Sequence, residues 1–250
     1  MRKMRINTRP VVAILMISFF IFFNCEDTTN SENPAPGKVQ LVSKSPEDEA
    51  VETGIDAEYI LGPPPPRNGI IIQWHPVKDD DLAGYRVYRS TSDSSAAFAL
   101  IATVRTHSIP GRIDTSYFDQ STIAGTRYYY RISAEDADQQ GPRSNAADYK
   151  LENVCILHFP PPPSGAFEWE WPINQQPDSF IFRLSRRTLL GTYDALLIKK
   201  FSDYSPTPNW TLPELGLDSL EAGQYLWRVD IIGSEDNNGS ESDWLPFTIQ

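Results

Sequence analysis

The sequence predicts an all-β chain of two tandem antiparallel β-sandwiches. Three observations carry this: a self-similarity at a constant offset of 97 residues, apolar alternations of period two, and a content of chain breakers unsuited to long helices. Aromatics make up 12% of the 250 residues, beside 21 prolines and 14 glycines, a composition of short strands joined by turns. The length suits two ordinary domains. A formal net charge of −11 makes nucleic acid an improbable partner.

In chain order, the first element is an address. Four positive charges between Met1 and Arg9 precede an apolar run from Val11 to Phe23, and then Asn24 and Cys25. The run is too short for the roughly 20 residues of a membrane-crossing helix, so residues 1–24 are expected to be a cleaved signal peptide. A cysteine directly after the apolar core resembles the lipobox of bacterial lipoproteins. That resemblance implies an acylated Cys25 and a membrane partner held through an N-terminal lipid. The alternative is a disulfide between Cys25 and Cys155, which export would favour. With Cys25 acylated, Cys155 is expected to be a buried free thiol. Residues 25–37 are polar and proline-bearing without periodicity, as in a disordered tether.

Residues 38–151 and 152–250 are expected to be the two sandwiches. Pro63–Pro66 recurs as Pro160–Pro163, Trp74 as Trp171, Tyr85 as Phe182 and Arg89 as Arg186. Later in each unit, Tyr128, Tyr130, Arg131 and Ile132 fall on Tyr225, Trp227, Arg228 and Val229, and Gly141 falls one residue off on Gly239. These stretches alternate as strands with one buried face: Ile70, Ile72 and Trp74; Phe167, Trp169 and Trp171; Tyr225, Trp227, Val229 and Ile231. The tetraprolines, each just before an early strand, stiffen a path between sheets rather than serve as polyproline ligands.

The early tryptophan, then Gly84-Tyr85-Arg86-Val87-Tyr88-Arg89, then Gly125-Thr126-Arg127-Tyr128-Tyr129-Tyr130-Arg131-Ile132-Ser133-Ala134, resembles the fibronectin type III family. The resemblance implies that Trp74 belongs to strand B, the tyrosine-rich segments to strands C and F, and residues 136–144 to the loop into strand G. It also implies a corner tyrosine, Tyr128, whose hydroxyl ties back to the chain just upstream. The second unit departs around Tyr193 to Thr211, which reads as an insertion. Its close, Gly223 to Val229 and Ser242 to Phe247, looks like strands F and G.

Chemistry has few candidates. His75, His107 and His158 lack metal-pair spacing, and the sequence contains no phosphate loop, nucleophile elbow or zinc-protease helix. No catalytic residue, metal or cofactor is therefore expected, and the chain is expected not to be an enzyme. Asp136-Ala137-Asp138-Gln139-Gln140-Gly141 resembles the start of a calcium loop, but the twelfth position is Ala147, and turn chemistry accounts for its residues. Trp210 and Tyr204, in the insertion and without apolar partners at strand spacing, are the expected binding residues. On the outward faces, Arg131 and Arg228 would lie on strand F, and Arg86 and Arg183 on strand C. A solvated arginine row is the simple expectation for them, and cation–π stacking of Trp244 on Arg228 the alternative. The function expected is an interaction module at the cell envelope, holding a protein or polysaccharide. A structural spacer without a ligand of its own is the other reading.

Overall fold

The computed structural model describes residues 34–44, 52–60, 67–93, 97–105, 114–158, 166–172, 177–202, 205 and 208–250. The leader, Cys25, Tyr204, His107 and both tetraprolines lie outside the described residues. Residues 35–250 form one compact unit.

In the first repeat, β1 (Ile55–Ile60), β2 (Arg67–Gln73) and β5 (Ser116–Asp119) form one antiparallel sheet in the order β1-β2-β5. The facing sheet has the order β4-β3-β6-β7, from β3 (Gly84–Ser90), β4 (Ala99–Arg105), β6 (Arg127–Glu135) and β7 (Ala147–Leu151). In family letters these are A-B-E against C′-C-F-G, the arrangement that the fibronectin type III resemblance implies. The alternation explains the core: Ile70, Ile72, Tyr85, Val87, Tyr130 and Ile132 all point between the sheets and are fully buried. Trp74, just past β2, meets Tyr85 edge-on with ring centroids 5.2 Å apart.

The second repeat follows the same plan. One sheet is β8 (Ile156–Leu157), β9 (Phe167–Glu170) and β12 (Asn209–Trp210), with β9 in the centre. The other is built from β10 (Ser179–Arg187), β11 (Tyr193–Phe201), β13 (Gly223–Ile232), β14 (Asn238–Glu241) and β15 (Leu245–Ile249). Its core is aromatic: Phe167 packs edge-on against Phe182, Trp227 and Phe247 at 5.0 to 5.8 Å. A single helical turn, α1 (Leu212–Leu215), is opened by Glu214, whose carboxylate accepts from Thr211 N–H and Oγ1. Tyr193 to Thr211 is thus not an insertion but largely strands C′ and E. The alternation there failed as a signal because β11 is an outer strand, and a register shift opposite Leu184 and Ser185 breaks its period.

Two local devices recur at the repeat positions. The Tyr128 hydroxyl accepts the Ile123 N–H at 3.3 Å, and the Tyr225 hydroxyl donates to the Glu221 carbonyl at 2.8 Å, so each unit has a corner tyrosine. In each unit a buried serine also breaks strand G and bonds strand F twice. Ser144 N–H donates to Ile132 O at 2.7 Å, while Ser144 Oγ accepts Ile132 N–H at 3.0 Å. Ser242 does the same to Val229, at 3.3 and 3.0 Å.

The larger sheets of the two units are continuous. β14 pairs in parallel with β7, Asn238 opposite Lys150 and Gly239 opposite Leu151, which completes a nine-stranded sheet. Lys150 N–H donates to Asn237 O at 2.9 Å and Glu152 N–H to Gly239 O at 2.7 Å across the seam.

Candidate functional site

Charged side chains gather where the two units meet, because strands F and C of the second unit point alternate residues away from its aromatic core. From β10 this outward alternation presents Arg183, and from β13 Arg228 and Asp230; Glu241 comes from β14 and Glu52 from the chain before β1. Arg228 grips Glu241 with two parallel bonds of 2.9 Å, the bidentate fork of a guanidinium on a carboxylate. Its Nε lies 3.0 Å from Asp230 Oδ1, and its Nη2 pairs with Glu52. Arg183 binds Asp230 Oδ2 at 2.5 Å and Glu52 Oε1 at 2.9 Å. Glu52 therefore belongs to the first unit and is held by two arginines of the second.

Burial gives this cluster its character. Arg183, Arg228, Asp230 and Glu241 are all 6% exposed or less, and charges so placed survive only when paired. Burial, with the neighbouring Asp230 carboxylate, pushes Glu241 up to about 8 despite its guanidinium partner. Burial also raises Asp230, against the pull of Arg228 and Arg183. Trp244 covers the cluster, with the Arg228 guanidinium carbon 4.8 Å from its ring centroid. The expectation of a solvated row is therefore corrected for Arg183 and Arg228: carboxylates and Trp244 take the place of water. In the first unit, Arg131 lies 5.0 Å over the Phe98 ring, and Arg86 is half-buried and paired with Glu135.

A cavity of about 670 Å³ opens beside the cluster, lined in part by Lys44, Asp56, Tyr149, Asn238 and Glu241. Oxygens of Glu52, Asp230 and Glu241 lie within 4.8 Å of one another, a spacing that could suit a cation. Both arginines already occupy those oxygens, so the arrangement is a charge clasp. Around it, Arg127 bonds Glu235 at 2.9 Å and the Asp236 carbonyl at 3.1 Å, and Lys150 meets Glu235 at 3.0 Å. These ties join β6 and β7 to the 235–237 loop of the other unit.

The residues singled out from sequence are dispersed. Trp210 is half-buried, 4.3 Å from the Phe201 ring and under the Lys199 ammonium, at the edge of the second core. Its core partner Phe201 lies on β11, which sequence periodicity did not mark as a strand. Cys155 is a buried free thiol, and burial drives it far above the usual thiol range, so it is unreactive. The Asp136 carboxylate accepts the Asp138 and Gln139 N–H groups, which is turn chemistry. Glu52, the residue that joins the clasp from the first unit, carried no signal: it ends an acidic stretch of sequence with no periodicity.

No family model matches the chain, and no curated protein matches it. Among solved structures, an Fn3-like protein from Clostridium thermocellum is 26% identical, over 40% of this chain and 91% of its own, with a TM-score of 0.28. The chicken interferon gamma receptor alpha chain is 10% identical over 87% of this chain and 98% of its own, with a TM-score of 0.34. The chicken CNTN1 FN1-FN3 domains are 13% identical over 87% of this chain and 68% of their own, with a TM-score of 0.31. Superposition at this level is loose, and the assignment stands on the strand order, the corner tyrosines and the paired strand-G serines. The chain carries two tandem fibronectin type III-like β-sandwiches, joined by pairing of β7 with β14 and tied by Glu52 of the first to the buried arginine cluster of the second.

Proposed function

We propose that the chain is an exported, lipid-anchored binding module that holds a protein or polysaccharide partner at a bacterial envelope and catalyses no reaction. The observation that carries this reading is the rigid seam. A module built to hold needs fixed geometry, and here β7–β14 main-chain pairing and the ion pairs of Glu52 with Arg183 and Arg228 tie one sandwich to the other. The charged residues at the seam bond one another, which leaves no free acid, base or nucleophile poised in the clasp. Export and anchoring rest on the apolar leader and Cys25. Among the described residues no helix is long and apolar enough to cross a membrane.

A structural spacer is the second reading, and the same seam favours it, since a fixed pair of domains sets a distance. Two measurements test the proposal. A palmitate analogue labels the wild-type chain and leaves Cys25→Ala unlabelled; equal labelling would remove the lipid. Immobilised chain, offered envelope extract and envelope polysaccharide, shows saturable binding that Tyr204→Ala weakens with unchanged melting, and that Trp210→Phe, which keeps a ring against Phe201, also weakens. Retention in an envelope complex without any saturable ligand would leave the spacer.

A further inference from the structure

The nine-stranded sheet ends at β11, and among the described residues no strand pairs with its outer side. An edge of this kind presents a row of main-chain N–H and C=O groups over nine residues. Next to it lies most of the exposed apolar surface of the described chain. Leu189 and Leu190 are 107% and 92% exposed, and Tyr193, Leu196 and Ile198 are each 40% exposed or slightly more. The leucines are displayed by a built turn: Thr188 N–H bonds Thr192 O at 2.8 Å, Gly191 N–H bonds Thr188 O at 3.0 Å, and Gly191 supplies the left-handed backbone at φ +84°. Five large apolar residues within ten positions, held out by an ordered hairpin, mark a contact surface.

Charge order along the strand identifies the occupant. β11 begins Tyr193-Asp194 and ends Lys199-Lys200-Phe201. A second β11 laid antiparallel brings Asp194 of each strand, which lies opposite Arg186 of its own β10, to the Lys199–Lys200 end of the other, twice, by symmetry; Lys199 there also donates to the Glu214 carbonyl. The same pairing places each leucine turn beside the Phe201 end of its neighbour. The lysines and the register shift discourage open-ended stacking, whereas an isologous pair closes on itself.

We infer that β11 and the Leu189–Leu190 turn form the interface of a two-fold dimer of this chain, two copies continuing one sheet across antiparallel β11 strands. At its Phe201 end this surface reaches Lys199 over Trp210 and Lys200 beside the seam cavity, so the test reads association of the chain alone, apart from any ligand.

The test uses the full chain in density-matched detergent, followed by sedimentation equilibrium. A reversible monomer–dimer equilibrium is expected for the wild type. Asp194→Lys weakens it by about tenfold, the scale of two cross-strand charge pairs turned repulsive. Combining Asp194→Lys with Lys199→Asp and Lys200→Asp restores it. Leu189→Ser with Leu190→Ser weakens it independently of charge, and thermal melting verifies folding of each variant. A wild type that stays monomeric to its solubility limit would overturn the proposal. So would a dimer indifferent to all three variants, or a monomer whose β11 edge instead takes up an extended peptide from another protein.

Discussion

Arg228 is surrounded by Glu52, Asp230 and Glu241, and how their protons are shared sets how the protein responds to pH. The Glu241 carboxyl is raised to about 8 in the folded chain, so between the ordinary glutamate range and that value the folded state holds a proton the unfolded state has lost. Stability therefore falls as pH climbs from about 5 to about 8. Glu241→Gln is expected to flatten that slope in a melting series, while keeping an acceptor for Arg228. Asp119 works in the opposite sense. Burial would raise it, but hydrogen bonds from Ser121, Arg89 and Tyr130 outweigh burial and hold it below the usual range. Its contribution is present above the ordinary aspartate range and lost as pH falls through its lowered folded value, so Asp119→Asn is expected to soften the acid limb of the same series. At Ser144 and Ser242, alanine leaves a buried strand-F N–H without its acceptor. Each substitution is expected to cost about 1–3 kcal/mol in urea unfolding.

At the level of strands, much was readable in the sequence and some was not, for physical reasons. β2, β3, β6, β9 and β13 each line a core with alternate residues, so period two showed through. β11 did not, because its outward positions are apolar too and its period shifts midway. The seam was also silent, since pairing between β7 and β14 is made by main chain, and main chain leaves no residue signature. One residue there does register it. A Cβ on Gly239 would sit 2.3 Å from the Ile231 carbonyl and 3.1 Å from the Tyr149 hydroxyl. Its repeat mate Gly141 would put a Cβ 2.2 Å from the Pro36 carbonyl. The near-repeat of glycine noticed in the sequence thus reflects close backbone approach. Gly239→Ala is expected to lower the unfolding midpoint by the equivalent of about 1–3 kcal/mol and to raise hydrogen exchange at Lys150 and Glu152 N–H, the groups that cross the seam.

For the whole molecule, the question is whether two sandwiches unfold as two bodies or as one. The shared sheet and the clasp couple them, so the wild-type chain is expected to unfold in a single calorimetric transition. Arg228→Ala leaves Glu241 buried without its guanidinium partner and Asp230 with Arg183 alone, at a cost of about 3–5 kcal/mol, and is expected to split the transition in two. The parallel bond between the last strands has one more consequence, which concerns any ligand broad enough to touch both repeats. Two beads on a flexible string must surrender their independent tumbling before they can grip such a ligand together. Here that freedom is given up when the chain folds, so two individually feeble contacts act in concert from the first encounter, with a residence time neither would reach alone.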